Sequence, residues 1–403
     1  MDVQELRKEF TQLGEKVYGR PLVYLDNAAT SLRPRSVVGK WVELSERYSA
    51  NIHRAVHHIS SVATEEYEHA RETAAAYLNV SPKEIIFTSG TTASVNLAAF
   101  SFGEAFVGEG DEIIVSESEH HSDLVPWQMM CERKCAVLKV LKVDEEGRLR
   151  IDELGSMITP STRLVCVTHV SNVLGLVNPI KEIAGICHSH GCRLLVDGAQ
   201  GAVHEHPDLR DLDCDFYAFS GHKMYAAPGT GVLYGKKELL DAIPPYMGGG
   251  EMVGNVKWSG TTYAPVPLKF EAGTANYVGA VCLGEAMEYL REIGMDGIAE
   301  YEHRLAEYAA DRLSAVEGLR IYGTTPDKCS ILSFNAEGVH AYDMGMILDK
   351  LGIAVRTGAH CADPVMEHYG VKGMVRVSFA FYNTEREADA LVAGVERAVR
   401  MLR

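Results

Sequence analysis

Residues 193–200, with the sequence RLLVDGAQ, carry the clearest indication of the fold. Three apolar residues run directly into Asp197, and small residues follow. A short apolar run of this kind is typical of a parallel strand buried on both faces. A polar residue at the end of such a strand lies at the sheet edge where open α/β sheets bind ligands. The stretch therefore predicts an α/β fold with Asp197 in a binding site, although capping a helix is an alternative role for this aspartate.

The same rhythm continues on both sides of this stretch. Short apolar runs alternate with helix-like segments and indicate βα units on a mainly parallel sheet. The predicted strands cover residues 85–88, 112–116, 163–168, 193–197, 216–220 and 231–234.

A second domain is predicted after the glycine- and proline-rich residues 244–274, which interrupt this rhythm. A helical pattern begins near Val278 and leads into it. Its predicted strands cover residues 331–335, 353–356 and 375–382, and its last helix covers 385–402. That helix has its apolar residues on one face, and Thr384 with Glu387 forms a capping box at its start.

Composition and charge limit the possible partners. The chain has 403 residues, 46% of them hydrophobic, which suits two packed domains. Its net charge of -16, without a basic stripe, argues against nucleic acid, and no apolar stretch is long enough for a membrane span. The first residues resemble neither a secretory signal nor a transit peptide. Nine cysteines without disulfide-scaffold spacing indicate a reducing compartment, so a cytoplasmic location is expected.

Lys223 follows the predicted strand 216–220, within the sequence FSGHKM. A lysine in a loop is most often a solvated surface charge. This lysine, however, follows an apolar strand and lies among small residues, where its amine could turn inward and form a Schiff base with a carbonyl cofactor. A pyridoxal cofactor needs an acid that keeps its ring nitrogen protonated, and Asp197 is placed to be that acid.

Residues 88–93, TSGTTA, supply donors for a phosphate group. They place hydroxyl side chains and free N–H groups at the start of a helix predicted over 93–100. Ordinary helix caps also use Thr and Ser, so this turn alone does not establish a phosphate site. No G-x-G-x-x-G or P-loop motif occurs. The histidine and cysteine clusters match no paired metal-ligand spacing, and no metal site is expected.

These motifs together resemble a known enzyme family. LVDGAQ at 195–200 with SGHK at 220–223 resembles the cofactor signature of the class V aminotransferase group of fold-type I pyridoxal enzymes. RTGAHCADP at 356–364 is similar to the loop of group II cysteine desulfurases, the SufS-like and selenocysteine-lyase-like branch. The resemblance extends from YLDNAA at 24–29 to YNT at 382–384.

The resemblance implies a fold and a division into domains. A large pyridoxal-binding domain with a mainly parallel seven-stranded sheet would cover residues 21–285. A smaller α+β C-terminal domain with the cysteine loop would cover residues 286–403. An N-terminal segment, residues 1–20, would pack with the small domain.

The resemblance also assigns residues to pyridoxal 5′-phosphate. Lys223 would hold the cofactor covalently, Asp197 would pair with the pyridine nitrogen and Gln200 would bond the ring oxygen. His120 would stack on the ring and move protons in catalysis. The phosphate would be contacted by Thr91, Thr92, Ser220 and His222. Thr274 would reach the phosphate of a neighbouring subunit, which implies a homodimer with shared active sites.

Arg376 is the candidate for binding the substrate carboxylate, because its planar guanidinium suits a bidentate contact. A charge inside an apolar strand is costly without a partner, although on an edge strand it could point to water. The family pattern adds Asn172, and Arg356 is a further candidate. Cys361 lies in a loop of small residues beside His360, an electropositive setting that favours the nucleophilic thiolate. A buried cysteine is otherwise a small inert hydrophobe.

These roles imply an enzyme that converts L-cysteine to L-alanine and leaves a persulfide on Cys361. A SufE- or SufU-like acceptor would then take the sulfur for iron–sulfur cluster assembly. Two alternatives stay open: a selenocysteine lyase or another β-lyase or aminotransferase on the same scaffold, acting for example on L-selenocysteine, and a non-catalytic protein that kept the fold. Ala359 stands where the family usually has the first of two histidines, so the acceptor is left open.

Overall fold

A seven-stranded sheet forms the centre of the computed structural model, which describes residues 1–403. In spatial order its strands are Ile85–Thr88, Gly231–Gly235, Phe216–Ser220, Arg193–Asp197, Thr162–Thr168, Glu112–Ser116 and Val137–Leu141. Neighbouring strands pair in parallel, except that Gly231–Gly235 is antiparallel to both of its neighbours. The prediction of an α/β fold with a mainly parallel seven-stranded sheet is confirmed.

Apolar side chains on both faces bury the central strands, as the continuous apolar runs predict. In the strand Arg193–Asp197, Leu194 and Val196 contact one layer of the core and Leu195 contacts the other. The long and short helices of this part of the chain are Arg35–Arg47, His58–Tyr77, Thr91–Phe106, His121–Lys134, Ile151–Met157, Ile180–Ser189, Gly201–His204, Leu209–Leu212, Lys237–Ala242 and Tyr277–Ile293.

The seventh strand, Val137–Leu141, was not among the predicted strands. It lies at the edge of the sheet, where Val137 and Val140 are exposed and Lys139 forms an ion pair with Glu112. An edge strand lacks the continuous apolar run of a buried one, so its sequence carries a weaker signal.

A second, four-stranded antiparallel sheet lies toward the C-terminus, in the order Leu319–Tyr322, Ile331–Ala336, Met374–Ser378 and Arg356–Gly358. Helices Met295–Ser314, Ala341–Lys350 and Glu385–Leu402 pack with it, and the Thr384–Glu387 capping box is present. The predicted strand 353–356 is instead two short strands, because Ile353–Ala354 pairs with Val23–Tyr24 before the chain enters the four-stranded sheet. The predicted strand 375–382 ends at Ser378.

The segments outside the two sheets are short. An exposed hairpin, Val253–Lys257 with Gly260–Tyr263, occupies part of the glycine- and proline-rich region. Near the N-terminus, Arg7 of the helix Val3–Arg7 forms an ion pair of 2.9 Å with Glu387. The predicted boundary at residue 285 falls inside the helix Tyr277–Ile293, and the division into domains stays a prediction. None of the helices combines the length and apolar character needed to span a membrane.

Candidate active site

A cavity of about 280 Å³ opens where the parallel strands end. Its walls come from these strand ends, from the start of the helix Thr91–Phe106 and from the loop that carries Cys361. Most of the predicted site residues line it: Thr91, Thr92, His120, Asn172, Asp197, Ser220, His222, Lys223, Arg356, Arg376 and Cys361. Gln200 and Thr274 do not.

Lys223 presents an amine to this cavity. The buried strand Phe216–Ser220 ends in a short turn, Gly221–Lys223, which carries the side chain inward. The amine has no hydrogen-bond or ion-pair partner in the protein. Burial lowers the pKa of Lys223 to about 8, against the opposing attraction of Asp197, because burial disfavours the charged form. A neutral, nucleophilic amine is therefore accessible near neutral pH.

Asp197 ends the strand Arg193–Asp197 and is buried. Its Oδ1 accepts a hydrogen bond of 2.8 Å from the backbone N–H of Ala199, and the next helix, Gly201–His204, begins after Gln200, so Asp197 does not cap a helix. Its Oδ2 has no partner in the protein. Burial raises the pKa of Asp197, and the nearby Lys223 ammonium opposes this shift. The free oxygen suits a cationic N–H donor in the cavity.

His120 caps the helix His121–Lys134 and also lines the cavity. Its Nδ1 accepts a hydrogen bond of 3.0 Å from the backbone N–H of Ser122, so the ring proton of the neutral form lies on Nε2. Burial, with Lys223 nearby, lowers the pKa of His120 to about 3, and the ring is neutral at pH 7. The adjacent His121 points elsewhere and pairs with Asp363 at 2.8 Å.

Hydroxyl groups and a helix start form one end of the cavity. The backbone N–H of Thr91 donates to Ser220 Oγ at 2.8 Å, and Thr92 Oγ1 lies 2.7 Å from Ser122 Oγ. Gly90 precedes the helix at a φ of 144°, where a side chain would be strained. His222 also lines this end, and burial together with Lys223 lowers its pKa to about 4. This end is suited to a phosphate group.

Two arginines line the cavity beside the cysteine loop. Arg376 is 3% exposed, and its Nη1 donates to the backbone carbonyl of Asn172 at 2.8 Å. Its Nε is buried without a partner. Burial lowers the pKa of Arg376 to about 10, so it stays charged at pH 7. The predicted alternative, an edge position facing water, is excluded by this burial.

Asp26, which was not among the predicted site residues, holds both arginines. Its carboxylate accepts hydrogen bonds from Arg356 Nε and Nη2, the latter at 2.9 Å, and lies 3.5 Å from Arg376 Nη2. Its signal in the sequence is its position directly after an apolar run that begins at the short strand Val23–Tyr24. Asp26 thereby orients the candidate groups for a substrate carboxylate.

Replacing Asp26 by Asn is expected to lower the free energy of unfolding by about 3 kcal/mol, because it leaves the buried Arg376 charge uncompensated. Urea denaturation followed by circular dichroism measures this loss. Asp349→Asn, at an exposed carboxylate, is the control and should change little. Equal stability of the Asp26 and Asp349 variants would contradict the bridging role.

Backbone contacts hold the loop that carries Cys361. The carbonyl of His360 accepts from Asn172 Nδ2 at 2.8 Å, and the carbonyl of Cys361 accepts from the N–H of His121 at 2.8 Å. His360 and Cys361 both have positive φ, 55° and 56°, a conformation that costs about 1–2 kcal/mol per non-glycine residue. The thiol of Cys361 is exposed and lines the cavity.

Two predicted residues lie outside the cavity lining. Gln200 is buried, and its Nε2 donates to the backbone carbonyl of Ala28 at 2.8 Å, so it supports the cavity wall. Thr274 is exposed in the region that follows the hairpin. The cofactor-binding roles given to these two residues stay predictions.

The fold and this cavity define a class of enzyme, and the comparison with known families agrees. The chain belongs to the aminotransferase class-V family, whose model matches residues 23–391. Its sequence is 47% identical over 402 residues to the cysteine desulfurase of Cronobacter sakazakii, covering 99% of each chain. It is 46% identical over 399 residues to the probable cysteine desulfurase of Halalkalibacterium halodurans, covering 98% of each.

Solved structures give the same result. The cysteine desulfurase CsdA of Escherichia coli, in an S-sulfonic acid form, superposes with a TM-score of 0.94 at 40% identity and covers 100% of both chains. The apo cysteine desulfurase of Thermococcus onnurineus superposes with a TM-score of 0.94 at 36% identity, covering 99% of this chain and 98% of its own.

Proposed function

We propose that this chain is a cysteine desulfurase, which converts L-cysteine to L-alanine and keeps the sulfur as a persulfide on Cys361. One observation carries the proposal: an exposed thiol lies in the wall of the cavity that also holds a half-buried amine without a partner, Lys223, and a buried guanidinium, Arg376. The amine suits a carbonyl cofactor, the guanidinium suits an amino-acid carboxylate, and the thiol can accept sulfur.

The cofactor is pyridoxal 5′-phosphate, and the donors of the cavity fit it. Lys223 would hold its carbonyl carbon, the free Oδ2 of Asp197 would bind its ring nitrogen, and Ser220 with the helix start at Thr91 would bind its phosphate. The bound cofactor withdraws electrons from the α-carbon of the substrate.

The side chains of the protein would perform the remaining steps. Arg376, oriented by Asp26, binds the substrate carboxylate. The amino group of the substrate would displace Lys223 from its bond to the cofactor, and the released amine of Lys223 would then take the α-proton as a general base. The Cys361 thiolate then attacks the substrate sulfur. A sulfur–sulfur bond forms as the carbon–sulfur bond breaks, and the electron pair leaves with the carbon. Protonation of that carbon gives the methyl group of alanine.

Two partners belong to the proposal. A second copy of the chain would form a homodimer, in which the exposed Thr274 contacts the phosphate in the neighbouring cavity. A SufE- or SufU-like protein in the cytoplasm would take the sulfur from Cys361 for iron–sulfur cluster assembly. The exposure of Cys361 supports this step, because an acceptor thiol must reach the persulfide directly.

The decisive experiment incubates the purified holoenzyme with L-cysteine and measures alanine and protein persulfide together, with and without SufE- and SufU-like acceptors. We expect alanine equal to transferred sulfur plus persulfide, and faster turnover with the true acceptor. Parallel assays with L-selenocysteine and cysteine sulfinate test the alternative activities. Turnover confined to selenocysteine, or pyruvate formed in place of alanine, would contradict the proposal, and light scattering tests the dimer.

A further inference from the structure

Two buried carboxyl groups lie behind the cavity and take no part in the steps above. Glu119 follows the strand Glu112–Ser116 and is 1% exposed, and Asp123, in the first turn of the next helix, is 0% exposed. His120, which faces the cavity, lies between them in the sequence. The two carboxyl groups therefore flank His120 in the chain.

Each carboxyl group has one oxygen with a donor and one without. Glu119 Oε1 accepts from Ser116 Oγ and, at 2.7 Å, from the backbone N–H of Thr168, while Asp123 Oδ1 accepts from Trp127 Nε1 at 2.8 Å. Glu119 Oε2 and Asp123 Oδ2 are fully buried and receive no donor from the protein. The two side chains are within hydrogen-bonding reach of one another.

No cation compensates these two groups, since neither forms an ion pair. The ionisable groups that face them from the neighbouring strands are Asp197, which is itself acidic, and Cys166. Farther along the packed elements, Glu104 pairs with Lys134 and Lys139 pairs with Glu112. His120 is neutral, as described above. Two ionised carboxylates here would be buried, adjacent and unpaired, which is prohibitively costly.

A single proton between the two carboxyl groups removes one of the two charges. It also gives both free oxygens a hydrogen bond, because one oxygen then donates to the other. Burial raises the pKa of both carboxyl groups above the usual range, and the charge of Asp197 adds to both shifts, so the pair holds a proton near neutral pH. Thr168, whose N–H donates to Glu119, lies opposite Asp197 in the sheet. The carboxyl pair is therefore next to the strand ends that line the cavity.

We propose that Glu119 and Asp123 share one proton, and that this proton fixes the position of His120 and keeps a second negative charge away from Asp197. Both are positioning residues, since neither touches the cavity. The effect on His120 rests on the proposed function, whereas the shared proton does not.

Infrared spectroscopy of the holoenzyme tests the proton directly. Wild-type protein at pH 7 should show the carbonyl stretch of a protonated carboxylic acid, and both Asp123→Asn and Glu119→Gln should lose it, because the introduced amide supplies the hydrogen bond. Glu84→Gln is the matched control and should leave the band unchanged, since Glu84 is also buried but is paired with Arg210. A band absent from the wild type, or kept in both variants, would overturn the proposal.

A second measurement uses stability and needs only one of the two variants. A carboxyl group ionises near pH 4 in the unfolded chain, whereas burial raises the pKa of this pair above that value in the folded protein. Between these values the folded state holds a proton that the unfolded state has released, so stability falls as pH rises. The thermal midpoint of Asp123→Asn should depend less on pH than that of the wild type. Equal slopes would count against the shared proton.

The effect on His120 is tested by comparing two substitutions. Asp123→Asn keeps the hydrogen bond to Glu119 and should keep most of the turnover with cysteine. Asp123→Leu removes it and should lower kcat by about 10²-fold, the size of effect that a small misplacement produces. A shift in the visible absorbance of the bound cofactor should accompany that loss. Equal kcat in the two variants would remove the positioning role while the infrared result stood on its own.

Discussion

Replacing Lys223 by alanine is expected to lower turnover at least about 10⁴-fold, because general base catalysis alone contributes about 10²–10⁴-fold and the covalent attachment is lost as well. The expectation follows from an amine that lines the cavity and has no partner in the protein. Borohydride reduction followed by peptide mass spectrometry measures the attachment. The wild type should carry the cofactor on the peptide that contains Lys223, and the variant should carry none.

Lys328 provides a matched control for this prediction. Burial also lowers its pKa to about 8, but its amine donates to backbone carbonyls, at 2.7 Å to Gly323, and does not line the cavity. Lys328→Ala should therefore keep the borohydride-reducible attachment, even if its stability falls. An attachment that survives in the Lys223 variant would contradict the role of this residue.

Cys361→Ser is expected to keep the bound cofactor and to lose persulfide formation, with alanine production reduced at least about 10²-fold, because the nucleophile carries the whole sulfur-transfer step. A serine hydroxyl is not ionised near neutral pH and cannot replace the thiolate. The measurement combines the visible spectrum of the cofactor with mass spectrometry of the protein after exposure to cysteine.

Cys135→Ser is the control, since Cys135 is the other exposed cysteine of the chain. It lies at the end of the helix His121–Lys134, away from the cavity. Its replacement should leave both alanine and persulfide unchanged. Full turnover in the Cys361 variant would show that sulfur leaves by a different route.

The sequence predicted the parts of the site that depend on local pattern. Asp197 and Lys223 each follow a continuous apolar run, so their place at the strand ends could be inferred directly. Cys361 and His120 required the family resemblance, because a cysteine in a loop and two adjacent histidines carry little information alone. The strand Val137–Leu141 was missed since its exposed edge weakens the pattern.

Contacts between residues that are far apart in the chain could not be predicted from sequence patterns. Asp26 is separated by 330 residues from Arg356, so nothing near either residue indicates that they meet. Glu119 and Asp123 are close in the sequence, but two acids near a helix start are common on protein surfaces. Only their burial, which depends on how the helix packs on the sheet, distinguishes them from solvated charges.

The two hydrogen bonds on the cysteine loop join the four-stranded sheet to the seven-stranded one. The loop follows the strand Arg356–Gly358 of the smaller sheet, whereas its carbonyls are held by His121 and Asn172 beside the larger sheet. The amide proton of His121 is consequently shielded for as long as Cys361 stays at the cavity. Its exchange with deuterated solvent reports the free energy of loop opening from a single backbone position.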